Sequence, residues 1–161
     1  MVTFADTGRL LHTLSLACGA TRILEIGTGA GNTTLSLAGT LPSDGMMITM
    51  EIDAARAGRA RESLAVAGYG DRVSVMTGDA TRFLHKIAGP FDLIFQDSDR
   101  SRYEQMLDRL VDLLRPGGLL VIDGVTGSEV EFSRRLAADP RLDTAFLPVG
   151  DGVSISVKRA S

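Results

Sequence analysis

The sequence has 161 residues, 44% hydrophobic and 23% charged, a length and composition that fit a single globular domain and exclude a disordered or fibrous chain. Its longest unbroken apolar runs, Leu64–Ala67 and Leu119–Ile122, are too short to cross a bilayer as a helix. With 17 basic and 20 acidic residues the net charge is -3, so no global positive field exists to hold a nucleic-acid backbone.

Runs rich in Ile, Val, Leu and Phe alternate with stretches of helical spacing from end to end, which predicts an α/β chain with a parallel sheet covered by helices on both faces. In chain order, a helix over Phe4–Ala17 leads to a strand over Arg22–Ile26, a helix over Asn32–Gly39 and a strand over Met47–Glu51. A helix over Asp53–Ala67, a strand over Val73–Met76, a helix over Thr81–Ile87 and a strand over Phe91–Gln96 follow. Ser101 and Glu104 have capping-box spacing at the head of a helix over Ser101–Leu114, and Pro116, Gly117 and Gly118 stop that helix before a strand over Leu119–Ile122. The tail reads as a helix over Glu129–Ala138 and two strands, Leu142–Leu147 and Val153–Lys158, joined by a Gly-rich turn into an antiparallel hairpin. The expectation is one domain with a mostly parallel seven-stranded sheet.

The stretch ILEIGTGAGNTTLSLA places Gly27, Gly29 and Gly31 between a strand and a helix, where backbone can approach a ligand at the carboxyl ends of the strands. A dinucleotide fingerprint requires G-x-G-x-x-G, but the third glycine position is Asn32 in one register and Thr34 in the other. Glu25, two residues before the turn, would repel a pyrophosphate and attract an ammonium or sulfonium group. S-adenosylmethionine carries both. Glu51 ends the second strand, 20 residues beyond Gly31, where an acid accepts from the two hydroxyls of a ribose. Asp79, followed by Ala80, is placed to accept from an adenine amino group and to cap the next helix, two compatible roles.

FDLIFQDSDR brings Asp97 and Asp99 to the end of the fourth strand, and LLVIDGV brings Asp123 to the end of the fifth. If those strands are neighbours, Asp97 and Asp123 meet beside the cofactor, and their repulsion calls for a cation, a proton or a basic partner. Mg²⁺ with oxygen ligands is one answer. Arg100 and Arg102 are another, and a third is that Asp99 only caps a turn and Asp97 only faces the cofactor.

The remaining chemistry-bearing residues read as structural. Cys18, the only cysteine, permits no intrachain disulfide or cysteine-rich zinc site and reads as a packing residue. Together with a start, MVTFADTGRLL, that lacks the pattern of a signal peptide, it predicts a reducing cytoplasm. His12 and His85 have no second ligand at metal spacing, and Arg56, Arg59, Arg61 and Arg72 read as a solvated face.

With these residues in view the chain resembles the class I S-adenosylmethionine-dependent methyltransferases. More narrowly it is similar to the cation-dependent O-methyltransferases, the group of catechol and caffeoyl-coenzyme A enzymes and their bacterial relatives. The resemblance runs through ILEIGTGAGNTTLSLA, TMEIDAARA, TGDATRFL, FDLIFQDSDR, LLRPGGLLVIDGV and LPVGDGVSISVKR, almost the whole chain. It implies a Rossmann-like fold, with Glu25 and Gly27 to Gly31 holding the methionine part, Glu51 the ribose, and Asp79 with Ala80 the adenine. It further implies a metal site at Asp97, Asp123 and position 124, where the family's asparagine is replaced by Gly124, so the ligand set is incomplete. Arg100 falls where the catechol enzymes place a lysine base, and a guanidinium orients an anion but does not take a proton. The chain is also shorter than the usual members, which implies missing amino-terminal helices and a shortened segment after the fifth strand.

The function so implied is methyl transfer to a small-molecule hydroxyl, with Asp97 and Asp123 favouring the deprotonated acceptor and Arg100 positioning it. Two alternatives stand beside it. One is a cofactor-binding module that has lost catalysis or needs a partner chain, a homodimer being one form; the other is a nucleotide-linked oxidoreductase, which Glu25, Asn32 and Thr34 disfavour.

Overall fold

In the computed structural model, which describes residues 4–126 and 130–160, seven strands form one sheet. They are β1 (Arg22–Ile26), β2 (Met46–Glu51), β3 (Val73–Thr77), β4 (Phe91–Gln96), β5 (Leu114–Asp123), β6 (Leu142–Leu147) and β7 (Val153–Lys158). Their order is β3-β2-β1-β4-β5-β7-β6. The first five run parallel, and β7 enters antiparallel between β5 and β6. The helices are α1 (Phe4–Ala17), α2 (Asn32–Ala38), α3 (Ala54–Val66), α4 (Ala80–Phe83), α5 (Tyr103–Leu113) and α6 (Val130–Ala138). Among the described residues no helix is long and apolar enough to cross a membrane. The predicted segment around Glu129 begins one residue outside the described part.

The central strands are continuous apolar runs because both faces are buried, and successive side chains serve opposite cores. Leu24, Ile26, Ile94, Leu120 and Ile122 pack with Met106, Leu107 and Leu110 of α5 and with Phe132 of α6. Ile23, Leu93, Phe95, Leu119 and Val121 pack on the other face with Leu11 of α1, Leu37 of α2 and Leu64 of α3. Each fully buried Leu or Ile contributes about 1.5–3 kcal/mol. His12 Nδ1 donates to the Ser36 carbonyl at 3.1 Å and so ties α1 to α2, while His85 is exposed. Burial raises the pKa of Cys18, as a packing thiol requires.

Three local readings are corrected. Ser101 does not cap α5: Asp99 accepts from the Ser101 amide at 3.1 Å and hydroxyl at 2.7 Å, which starts a 3-10 turn over residues 100–102 and delays the α-helix to Tyr103. The predicted helix over Thr81–Ile87 is α4 followed by a 3-10 turn over Leu84–Lys86. The glycines before the fifth strand lie within β5, where the register jumps from Phe91↔Leu114 to Leu93↔Leu119 and residues 115–118 bulge out. Arg115 in that bulge reaches Asp92 at 2.6 Å, and Asp92 also accepts from the Thr21 and Arg22 amides, clamping β1, β4 and β5 at their amino-terminal side.

The sheet's opposite edge is aligned by register. Ile26 pairs with Met50 and with Gln96, and Gln96 pairs with Ile122. Gly27, Glu51, Asp97 and Asp123 therefore emerge side by side, where open α/β sheets bind ligands.

Candidate active site

The turn after β1 depends on glycine where backbones touch. A Cβ on Gly27, which has φ +98°, would sit 1.9 Å from the Asp97 carbonyl oxygen, so only glycine lets the β1 turn pass the end of β4. The turn is pinned from below by a buried chain of hydrogen bonds: Thr28 and Thr49 hydroxyls lie 2.7 Å apart, and Thr49 and Thr34 donate to Glu25 Oε2 at 2.6 and 2.5 Å. Glu25 is fully buried, its Oε1 has no partner among the described residues, and burial pushes its pKa up to about 7 against the two threonine bonds.

Two cavities flank the turn. The first, about 250 Å³, is lined by Gly29, Glu51, Ile52, Asp79, Ala80, Asp97 and Met106 among others. The second, about 460 Å³, is lined by Thr7, Thr28, Asn32, Thr33, Asp97 and Asp123 with the turn glycines. Gly27, Gly29 and Asp97 belong to both, so the cavities meet at Asp97. Of the residues predicted to hold the cofactor, Glu25 lines neither cavity, and its Oε2 accepts from Thr34 and Thr49 beneath the turn.

Glu51 is fixed as a carboxylate. Burial works against its charge, but the Arg56 guanidinium at 2.9 Å and the amides of Asp53 and Gly29, each at 2.9 Å, prevail and hold its pKa below the ordinary value. Among the described residues Oε2 accepts only from Gly29, which leaves it capacity for a sugar hydroxyl. Arg56 lies on the exposed face, as expected, and in addition supports the site through Glu51; Arg61 and Arg72 are likewise bonded, to Val75 and Leu41 carbonyls. Asp79 caps α4 by accepting from the Thr81 amide and hydroxyl, and it also pairs with Arg102 at 2.6 Å. Thr81 and Arg102 together lower its pKa to about 2.

At the junction, Asp97 keeps solvent access, yet loss of water around its carboxyl and then repulsion from Asp123 push its pKa up to about 6, with Arg100 opposing. Asp123 is 7% exposed and is also raised, chiefly by burial, while the Gly124 amide and Arg100 pull it down. Three participants escaped the sequence reading. Tyr103, buried, donates to the Asp123 carbonyl at 3.0 Å, and burial with both aspartates raises its pKa. Asp151, in the turn between β6 and β7, binds Arg100 at 2.8 Å. The Thr28–Thr49–Glu25 chain has no local sequence signature, since its two links span 21 and 24 residues.

A nucleoside cofactor fits the first cavity. Apolar walls at Ile52, Ala80 and Met106 flank the Glu51 carboxylate, and a Cβ on Gly29 would meet nothing within 4 Å, so the turn leaves open space there. A divalent metal does not fit the second. Gly124 offers no side-chain donor, and among the described residues no three His, Cys, Asp or Glu side chains come together to hold an ion.

The sequence matches the O-methyltransferase family over residues 1–159. The chain belongs to that family. The methyltransferase is 32% identical over 181 aligned positions to caffeoyl-CoA O-methyltransferase 1 of Eucalyptus globulus, covering 96% of this chain and 74% of that protein. It is 39% identical over 124 residues to a catechol O-methyltransferase of Niastella koreensis, covering 74% of this chain and 56% of the other. The crystal structure of an O-methyltransferase from Bacillus cereus in complex with S-adenosylhomocysteine superposes with a TM-score of 0.88 at 32% identity, covering 99% of this chain and 83% of that one. The methyltransferase is therefore an enzyme of O-methyl transfer with a Rossmann-like fold.

Proposed function

We propose that this methyltransferase transfers the methyl group of S-adenosylmethionine to a hydroxyl of a small phenolic acceptor of the catechol or caffeoyl-thioester kind. S-adenosylmethionine, when bound, supplies an already activated methyl on its sulfonium. The first cavity would take the adenosine, with Glu51 at the ribose and Asp79 and Ala80 at the adenine rim. The second would take the acceptor. The observation that carries the reading is that Asp97 stands in the wall of both cavities, so one carboxylate faces donor and acceptor together.

The chain's own task is alignment, exclusion of water and removal of one proton. With a pKa near 6, Asp97 is ionised at neutral pH and is a better base than an ordinary aspartate. It takes the hydroxyl proton as the new oxygen–carbon bond forms and the carbon–sulfur bond breaks, leaving a methyl ether and S-adenosylhomocysteine. Asp123 holds its place against Asp97, and Tyr103 fixes the Asp123 backbone. The test is methyl transfer from S-adenosylmethionine to a panel of catechols and caffeoyl thioesters. Wild type should form methyl ether, and Asp97→Ala should lose at least a hundredfold while folding normally; an Asp97→Ala variant with full activity removes Asp97 from the reaction.

The chain is taken as one catalytic domain with a small-molecule partner and no nucleic acid, in a reducing cytoplasm. A homodimer covering an uncovered sheet edge, at β3 or β6, is included and is checked by sedimentation.

A further inference from the structure

Gly124 and Arg100 form a matched pair. Gly124 has φ +74°, and a Cβ built on it would lie 2.3 Å from Arg100 Nε, 2.5 Å from Cζ and 2.6 Å from Nη2. The guanidinium therefore occupies the volume into which any side chain at position 124 would project. It is held there by Asp151, whose Oδ2 accepts from Arg100 Nη2 at 2.8 Å. Asp151 itself is positioned by the β6–β7 turn, whose backbone joins the segment after β5: the Gly124 amide donates to the Gly152 carbonyl at 2.8 Å. The charge of Arg100 acts on both Asp97 and Asp123, the two carboxylates that crowd the second cavity.

We propose that Arg100, laid over Gly124 and anchored by Asp151, is the permanent cation of the acceptor site, and that this methyltransferase works without a divalent metal. The inference deepens the O-methyl transfer reading and rests on it for its catalytic half. Two carboxylates at one sheet edge need an offsetting charge. A hard divalent ion requires several oxygen ligands, and here position 124 has no side-chain donor while a guanidinium fills the space that such a side chain would take. A guanidinium stays charged at any working pH and donates through a planar fork, so it pairs with a phenolate oxygen without needing an ion of its own. Arg100 is thus the charge that acts on Asp97 and Asp123 from beside the second cavity, and Asp151 is its positioning residue.

The decisive experiment is direct and needs no turnover. Mn²⁺ binding to the purified chain is followed by electron paramagnetic resonance for wild type and Arg100→Met, with circular dichroism and S-adenosylhomocysteine affinity as controls for folding. Wild type should bind no Mn²⁺ below millimolar concentration, and Arg100→Met, whose two aspartates have lost their cation, should bind at least tenfold more tightly. Micromolar Mn²⁺ binding by wild type, or no gain in Arg100→Met, overturns the proposal. If Arg100→Met does not fold, Asp151→Asn, which frees Arg100 without removing it, should show a gain of the same sign, and its absence counts against the idea. In the transfer assay a chelator should change the wild-type rate less than twofold, and Arg100→Lys should recover part of the kcat lost in Arg100→Met. A tenfold loss on chelation contradicts the metal-free account; a chain inactive under all conditions counts against the transfer reading and leaves the Mn²⁺ result to decide this one.

Discussion

Glu25 makes the apo protein lose stability as pH rises, and Glu25→Gln should remove that loss. The folded chain raises the Glu25 pKa from 4.5 to about 7 because the carboxyl is fully buried with one oxygen unpartnered. Between those values the folded state keeps a proton that the unfolded chain releases. The stability tied to that proton is complete below pH 4.5 and is lost as pH climbs through 7. The shift corresponds to about 3 kcal/mol. Glutamine keeps a carbonyl oxygen for Thr34 and Thr49 but places an amide where Oε1 has no partner, which costs about 1–3 kcal/mol at every pH. Replacement therefore lowers stability at pH 5 and flattens its pH dependence. Asp97 adds a loss of the same sign at lower pH, but it does so in both proteins and cancels in the difference. Urea unfolding at pH 5 and pH 8 reads the effect: wild type should fall by about 3 kcal/mol more than Glu25→Gln across that interval. Parallel curves for the two proteins would refute the burial argument.

Gly27→Ala should fold poorly and bind S-adenosylhomocysteine at least tenfold more weakly, because its Cβ would meet the Asp97 carbonyl at 1.9 Å at a φ of +98°; calorimetry on the folded fraction checks it. Asp92→Ala should cost about 2–3 kcal/mol by releasing the Arg115, Thr21 and Arg22 bonds, with no change in cofactor affinity, since the clamp lies at the far side of the sheet. Tyr103→Phe should lose about 1 kcal/mol from the bond to the Asp123 carbonyl and slow transfer with little change in S-adenosylhomocysteine affinity, read by thermal melts and by kcat.

Much of this was legible in the sequence because the signals are local. The central strands announced themselves as short apolar runs since two helical layers bury them on both faces, and the helix α1 and the closing hairpin lie where periodicity and glycines put them. The misses have a common cause. At Ser101 a nearby aspartate competed for the same amide, and Asp99 captured both Ser101 groups. At residues 115–118 the glycines serve a bulge that the Asp92–Arg115 pair requires, which no helix-stop rule anticipates.

The site divides in the same way. Gly27, Glu51, Asp97 and Asp123 could be placed because each ends a strand, and the adjacency of β4 and β5 brings the last two together. Glu25 also ends a strand, but its side chain points into the protein's interior, where threonines from α2 and β2 meet it. Arg100 was visible as a charge beside the aspartates, whereas its anchor, Asp151, is 51 residues away in a hairpin turn. Only the assembled fold shows that Gly124 makes room for it.

The most direct test of the central claim is a calorimetric titration of S-adenosylhomocysteine into the purified chain, with NAD as a control and Glu51→Ala alongside. The account predicts one micromolar site for S-adenosylhomocysteine, at least tenfold weaker in Glu51→Ala, and no heat from NAD. Tight NAD binding, or no S-adenosylhomocysteine binding by the folded wild type, would contradict it.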